Sequence, residues 1–335
     1  LDEYELLCAG EGDLSRILSD GGSMPETTDA AGATQPIDFS PRKRPHEVAI
    51  RGFLFLTAAI SILVTAGIVF ELVKESWLFF GDPEVSVWEF FTTTQWQPML
   101  GNFGIWPLLS ATLMTSTIAM LVAFPLGLMV AVYLSEYASE SVRGVLKPIL
   151  EVLAGIPTVV YGYFAVTFMT PLLQSIFGND IVDVYNTASA GIVMGILILP
   201  LVSSMTEDAL SAVPRSLRMA AFALGSTKME TSMQIVVPAA FSGIAAAFIV
   251  SLSRAIGETM IVALAAGAGP NFTLNPFEGA ETLTGYIVRI SGGDISYNSV
   301  DYNSIFSLGL VLFILTLTLN FISRRIVEKY REVYE

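Results

Sequence analysis

One cysteine, Cys8, and one histidine, His46, are all that the 335-residue chain holds of either residue. A lone cysteine makes no internal disulfide and no Cys-based metal site. A single histidine in a polar segment gives no basis for His-based catalysis or a His-rich metal centre. No metal ligands are expected, and the cluster of His, Asp or Cys that a membrane-embedded enzyme needs is absent. Charge is also scarce: Asp, Glu, Lys and Arg make up 14% of the residues, against about 25% in a soluble domain. What charge there is leans acidic, with 17 basic and 31 acidic residues and a net charge of −14. That balance argues against a nucleic-acid partner, which needs a basic surface. The G-x-x-x-x-G-K-[ST] phosphate loop is missing too. Gly225-Ser226-Thr227-Lys228 carries a fragment of it at the wrong spacing, with no strand before it. If ATP drives any process here, a second subunit has to hydrolyse it.

What the chain has in abundance is apolar length. It is 53% hydrophobic, with a mean hydropathy of +0.63. Apolar segments at about 52–73, 106–134, 148–175, 188–206, 238–266 and 304–323 are each near or above the roughly 20 residues that cross a bilayer. The expected fold is all-α: a polytopic membrane protein with six transmembrane helices over residues 49–335. Pro148, Pro157 and Pro171 punctuate the third segment; spanning helices tolerate proline where neighbours satisfy the freed carbonyls. The last four segments are rich in small residues such as Gly191, Gly195, Gly243 and Ala245–Ala247, which let helix backbones approach closely. Residues 1–48 are polar, rich in Gly, Ser, Thr, Pro and Asp, and read as a disordered tail. The stretch 1–23, ahead of Met24, is open to three readings: a processed, a mis-started or an engineered leader.

Orientation follows from Lys and Arg. With the tail inside, cytoplasmic segments hold 14 of the 17 basic residues, outer segments hold Lys74 and Arg289, and the last is Arg254. This positive-inside bias places both termini in the cytoplasm. All four tryptophans, Trp77, Trp88, Trp96 and Trp106, fall in the first outer segment and its borders, which fits an interfacial aromatic anchor.

Within the fifth segment stand an arginine and a glutamate. A charge at the centre of a spanning helix costs roughly 2.5–3.5 kcal/mol on insertion scales, so such charges are expected to face protein or a water-filled path. Ser251, Arg254 and Glu258 fall near one helical face at spacings of three and four. Arg254 offers a planar donor fork that stays charged, a natural contact for an oxyanion. Glu258 has two readings, neutralising Arg254 in the empty state or clamping a partner subunit. A purely structural Arg254–Glu258 pair is the competing account. Ser253 and Thr259 are further polar candidates, and Tyr161 and Pro157 either line the path or pack in the core.

Residues 207–237 are too polar to span and too long for a tight turn. Leu217, Ala220, Ala221 and Leu224 share a helical face. Pro214 and Gly225 break helices, while Ser216 and Thr227 are candidate caps. Two short helices joined at Gly225 are expected, an elbow able to insert into a groove on a partner.

The elbow resembles the cytoplasmic motif of binding-protein-dependent ABC importer permeases: E-A-A, three residues, Gly, nine residues, Ile, one residue, Leu-Pro. Here it reads Met219-Ala220-Ala221, three residues, Gly225, nine residues, Ile235, Val236, Val237-Pro238. Met219 replaces the glutamate and Val237 the leucine. Phe103–Leu109, Tyr133–Ala138, Leu153–Gly162 and Arg254–Met260 are similar to phosphate-specific permeases. Met260, Leu274-Asn275-Pro276 and the ending Tyr330–Glu335 are similar to the C-type subunit of that family. The resemblance covers about residues 50–335.

It implies a type I ABC importer permease fold and a complex with an A-type permease, two cytoplasmic ATPase subunits and an external phosphate-binding protein. ATP and Mg would sit on the ATPases, with no cofactor in this chain. Ala220, Ala221, Gly225, Ile235 and Pro238 would couple to them. Arg254, Glu258, Ser251 and Thr259 would line the phosphate path. The outer segments, with ten acidic and two basic residues, would repel a free anion, which favours delivery by a docked protein. A permease for another oxyanion, molybdate or sulfate, would share the elbow. A secondary transporter would not need the elbow, and it usually shows two related halves and more than six spans.

Overall fold

The computed structural model describes residues 45–293, Ser296 and residues 299–330. The expected tail, residues 1–48, lies outside them except for its last four residues, which open a helix. The chain divides into two compact units after Ile62. In the first, the described residues are the beginning of helix α1 (Pro45–Phe80). Phe53, Leu54, Phe55 and Leu56 on it are all exposed, as in a helix solvated by hydrocarbon.

In the second unit, α2 (Val87–Thr92) and a two-residue hairpin, β1 (Trp96–Gln97) and β2 (Asn102–Phe103), follow the end of α1. Trp96 pairs with Phe103, and the turn between the strands ends on Gly101 at φ +73°. Phe79, Phe90, Trp96, Phe103 and Tyr286 interlock edge to face at centroid distances of 5.2–6.2 Å, the arrangement that ring quadrupoles favour. Trp96 is therefore core and not anchor. Trp77 and Trp88 are exposed, and Trp106 donates its indole N–H to the Phe91 carbonyl at 2.7 Å.

Helix α3 (Trp106–Tyr137) starts with Pro107 in its first turn, where a missing N–H costs nothing. The sequence reading placed a third span at 148–175. The structure instead forms a separate helix, α4 (Glu140–Ala154), capped by the Ser139 side chain on Val142 N–H, and then the span α5 (Thr158–Phe177). The break falls at Gly155-Ile156-Pro157, because proline disfavours helical backbone in the residue before it. No residue of α4 is fully buried.

Next comes α6 (Thr187–Ser211), capped by the Asn186 side chain on Ser189 N–H at 2.7 Å. Among the described elements, α3 and α6 share the most extensive contact. Glycine makes it possible. A Cβ on Gly195 would come within 2.8 Å of Val122 Cβ and the Ala119 carbonyl, and one on Gly191 within 2.8 Å of Ile118. Small residues at such crossings replace the hydrophobic drive that lipid removes.

Beyond the elbow helix α7 (Arg215–Ala223), α8 (Lys228–Ala239) and α9 (Phe241–Ile256) follow with a bend of 70° between them, the geometry of a broken span or a re-entrant loop. The expected fifth segment, 238–266, is thus not one helix. Its straight part, α9, has 16 residues and covers about 24 Å at 1.5 Å per residue, short of a hydrocarbon core of roughly 30 Å. The chain breaks at Gly257–Thr259 and resumes as α10 (Met260–Ala265). Then follow α11 (Leu283–Ser291) and the long span α12 (Val300–Tyr330). Five helices, α1, α3, α5, α6 and α12, are long and apolar enough to cross a membrane, and the bent α8–α9 pair, counted as one span, makes a sixth.

Replacing Gly195 by leucine should force α3 and α6 apart. The expected result is loss of folded, monodisperse protein in detergent, with Gly195→Ala milder, at about 1–3 kcal/mol for overpacking. Thermal unfolding of the purified variants measures both, and a Gly195→Leu protein as stable as the parent would contradict this packing.

Candidate functional site

Between α4, α6 and the end of α9 lies a cavity of about 390 Å³, many times the ~30 Å³ share of one water. Its walls are mostly Leu, Ala and Pro, and its polar groups are Lys147, Glu151, Ser204, Glu207 and Arg254. Arg254 occupies the last turn of α9. A cation there meets the negative end of the helix macrodipole. Its side chain is exposed in the isolated chain. Among the described residues Arg254 has no ion-pair partner.

The expected shared face of Ser251, Arg254 and Glu258 does not form, because the helix ends at Ile256 and Gly257 caps it. Glu258 is turned to other work. Its Oε1 accepts from the backbone N–H of Met260 at 3.2 Å and of Ile261 at 3.5 Å, and its carbonyl accepts from Thr284 Oγ1 at 2.7 Å. It caps α10 and ties it to α11, so no ion pair joins it to Arg254. Ser251 is fully buried, its hydroxyl without a hydrogen-bond partner. Thr259 Oγ1 donates to the Gly257 carbonyl at 3.2 Å. Of the four residues expected on the path, the cavity wall includes Arg254 and not Ser251, Glu258 or Thr259. Tyr161 belongs to the buried core, its hydroxyl donating to the Leu153 carbonyl at 2.9 Å and so joining α5 to α4.

A charged cluster that includes the cavity-lining Lys147 and Glu207 is not announced by the sequence. Glu207 is fully buried. Its Oε1 meets Arg143, and its Oε2 accepts from Lys147 Nζ at 2.9 Å. Lys147 also lies 3.5 Å from Asp208 Oδ1, and Arg143 donates to Ser211 Oγ at 3.2 Å. The available signal was the run Glu140, Arg143, Lys147 and Glu151, charges at helical spacing that begin in the polar segment ahead of the expected third span and continue into it.

The elbow is built from local chemistry. Pro214 precedes α7, and no side chain caps it. Ser216 is thus not the cap. At the other end Gly225 takes φ +89°, its N–H bonding to the Phe222 carbonyl and Ser226 N–H to the Ala221 carbonyl. These are the two bonds of a Schellman motif, which favours glycine at that position. Thr227 and Glu230 then form a reciprocal capping box that starts α8. Ala221 is buried, Ile235 half-buried, and Ala220 and Pro238 exposed. Arg218 fixes the elbow to the body: its Nη2 lies 2.8 Å from Glu136 Oε1 and 2.8 Å from the Leu210 carbonyl. What the elbow leaves outward is apolar and flexible, with Leu224 at 89%, Met219 at 66% and Met229 at 56% exposure. Methionine-rich faces of this kind adapt to a partner.

Apolar spans around a cavity lined, among the described residues, by one cation without an ion-pair partner, and an exposed apolar elbow on a loop, are the features of a multi-pass membrane subunit. Residues 123–331 match the model of the binding-protein-dependent transport system inner membrane component. The chain belongs to that family. It is 32% identical over 274 residues to a probable ABC transporter permease protein, YqgH, of Bacillus subtilis, covering 80% of this chain and 87% of the relative. It is 31% identical over 291 residues to the phosphate transport system permease protein PstC of Xylella fastidiosa, covering 81% of this chain and 88% of that one. In structure it is similar to a chain of a bacterial alginate ABC transporter crystallised with its alginate-bound periplasmic protein. The TM-score is 0.59 at 17% identity, over 84% of this chain and 97% of the other. That likeness is one of fold.

Proposed function

We propose that this chain is the C-type permease subunit of an ATP-driven importer that carries inorganic phosphate across the cytoplasmic membrane. The observation that carries the reading is Arg254. Of the two cations lining the cavity it is the one with no ion-pair partner among the described residues, and an anion in a low-dielectric site needs compensating positive charge. The relatives named for phosphate transport favour phosphate over molybdate or sulfate as that anion. The secondary-transporter alternative receives no support from them. With both termini cytoplasmic, as the basic-residue bias indicates, the elbow faces the cytoplasm and the Trp96 hairpin faces out.

In this reading an A-type permease supplies the other half of the pathway. Two cytoplasmic ATPases bind ATP and Mg and receive the elbow, including Ala220, Ala221, Gly225, Ile235 and Pro238. An external binding protein delivers phosphate to a surface that would repel it in free solution. Arg254 contacts the anion. Glu258 and Thr259 support that contact from behind, by holding the turn at which α9 ends, and Ser251 is the buried hydroxyl one turn back on α9.

Two variants test it. Arg254→Gln keeps the volume and removes the charge. A hydrogen bond to a charged group contributes about 1.5–3 kcal/mol, so phosphate uptake should fall at least about tenfold while the complex still assembles. Arg254→Lys should retain part of the activity, since it keeps charge and loses the fork. Parental uptake by an assembled Arg254→Gln complex would remove the substrate role. For the elbow, a Cβ on Gly225 meets no atom within 4 Å, so Gly225→Val acts through backbone strain alone, of order 1–3 kcal/mol for a residue held at positive φ. It should lower transport-coupled ATP hydrolysis and leave membrane insertion intact. Undiminished coupling would count against the docking role.

A further inference from the structure

The cavity holds a second full cation, Lys147, and its setting differs from that of Arg254. Arg254 has no partner among the described residues, whereas Lys147 is already paired with the buried Glu207 at 2.9 Å. The same carboxylate holds Arg143, whose guanidinium reaches Ser211 Oγ at 3.2 Å. Glu207 thus sits as a resident anion between two cations, in the wall of the same cavity. Lys147 and Arg143 are about one-third exposed, at 35% and 38%, while Glu207 is at 0%. The cations keep access to water; the carboxylate does not. They ride on α4, which buries no residue of its own and is linked to α6 through this carboxylate.

From this arrangement we infer that Lys147 and Arg143 form a second oxyanion site, the exit site, which the anion enters by taking the place of the Glu207 carboxylate. The inference rests on the proposed function for the identity of the anion, and not for the geometry. A tetrahedral oxyanion offers the same acceptor oxygens to the ammonium and the guanidinium as Glu207 does. When the anion arrives, the displaced carboxylate keeps the Ser211 hydroxyl, which donates to Glu207 Oε1 at 3.4 Å; Asp208, at 3.5 Å from Lys147, is a second carboxylate that the anion has to compete with. When the carboxylate returns, it expels the anion by competing for the same donors. Glu207 makes the site weak, as an exit must be: binding has to be favourable enough to enter and weak enough to leave. Removing one member of a buried ion pair leaves its partners uncompensated. An exit site without Glu207 should therefore hold its anion, not release it.

The experiment uses the full complex purified in detergent and measures retention of radiolabelled phosphate, sulfate and molybdate after rapid desalting. Uptake by reconstituted vesicles is measured alongside. Glu207→Gln should raise phosphate retention several-fold over the parent and slow uptake. Lys147→Gln, at a partly exposed position that leaves Arg143 on Glu207, should assemble normally, retain less phosphate and take it up about tenfold more slowly, and Lys147→Arg should restore both. If Glu207→Gln retains sulfate or molybdate instead of phosphate, the exit site stands and the phosphate reading falls. If Glu207→Gln retains no anion above the parent, the exit site is overturned. If Glu207→Gln does not assemble, Lys147→Gln decides alone, and parental retention and uptake in that variant overturn the site.

Discussion

A guanidinium within apolar spans must be solvated by something, and how Arg254 is solvated organises the rest of this molecule. Among the described residues it is not paired with a carboxylate. It sits in the last turn of α9, where the unpaired carbonyls of a helix end supply partial negative charge, and it opens onto a cavity that admits water. Both conditions depend on α9 stopping where it does. Gly257 caps the helix, Glu258 caps the next one from its buried position, and Thr284 on α11 holds the Glu258 carbonyl at 2.7 Å. A glutamate that looks from the sequence like a counter-charge is instead bonded to the start of the next helix.

The cavity also needs close-packed walls. Glycines at 191 and 195 bring α6 against α3, and α6 carries Leu197, Pro200, Leu201, Ser204 and Glu207 to the cavity. The same helix continues to Ser211, beside the elbow. Arg218, from the elbow, bonds the Leu210 carbonyl of that helix and Glu136 at the end of α3. One closely packed pair of helices therefore connects the cavity wall to the elbow's exposed apolar face. A displacement of α7 has a direct mechanical route to α6 through charge-assisted hydrogen bonds and packed backbone.

Much of this was legible in the sequence, for reasons that are local. Apolar length marks the spans, and the elbow follows from Pro214 and from Gly225, whose left-handed backbone a short helix end requires. Thr227 as a cap is readable because its partner, Glu230, is three residues away. What was illegible depends on tertiary context. Helical periodicity puts Ser251, Arg254 and Glu258 on one face, and nothing in it announces that the helix stops at Ile256. The prolines around 148–157 read as interruptions of a span because apolar Val145, Leu146, Leu150, Val152 and Leu153 surround them. The charges of α4 mark it as a separate helix only once Glu207, sixty residues on in sequence from Lys147, is seen beside them. Trp96 falls among interfacial tryptophans in sequence and inside an aromatic core in space.

The central claim, that an apolar path with an unpaired arginine moves phosphate on energy supplied from elsewhere, is most directly tested by transport into sealed vesicles. The measurement is accumulation of radiolabelled phosphate by proteoliposomes holding this chain with its partner permease and ATPases, with the binding protein added on the outer face and ATP trapped inside. The account predicts accumulation that requires both ATP and the binding protein and that an excess of sulfate or molybdate does not reduce. Accumulation of sulfate or molybdate in place of phosphate, or phosphate uptake that persists without ATP, would contradict it.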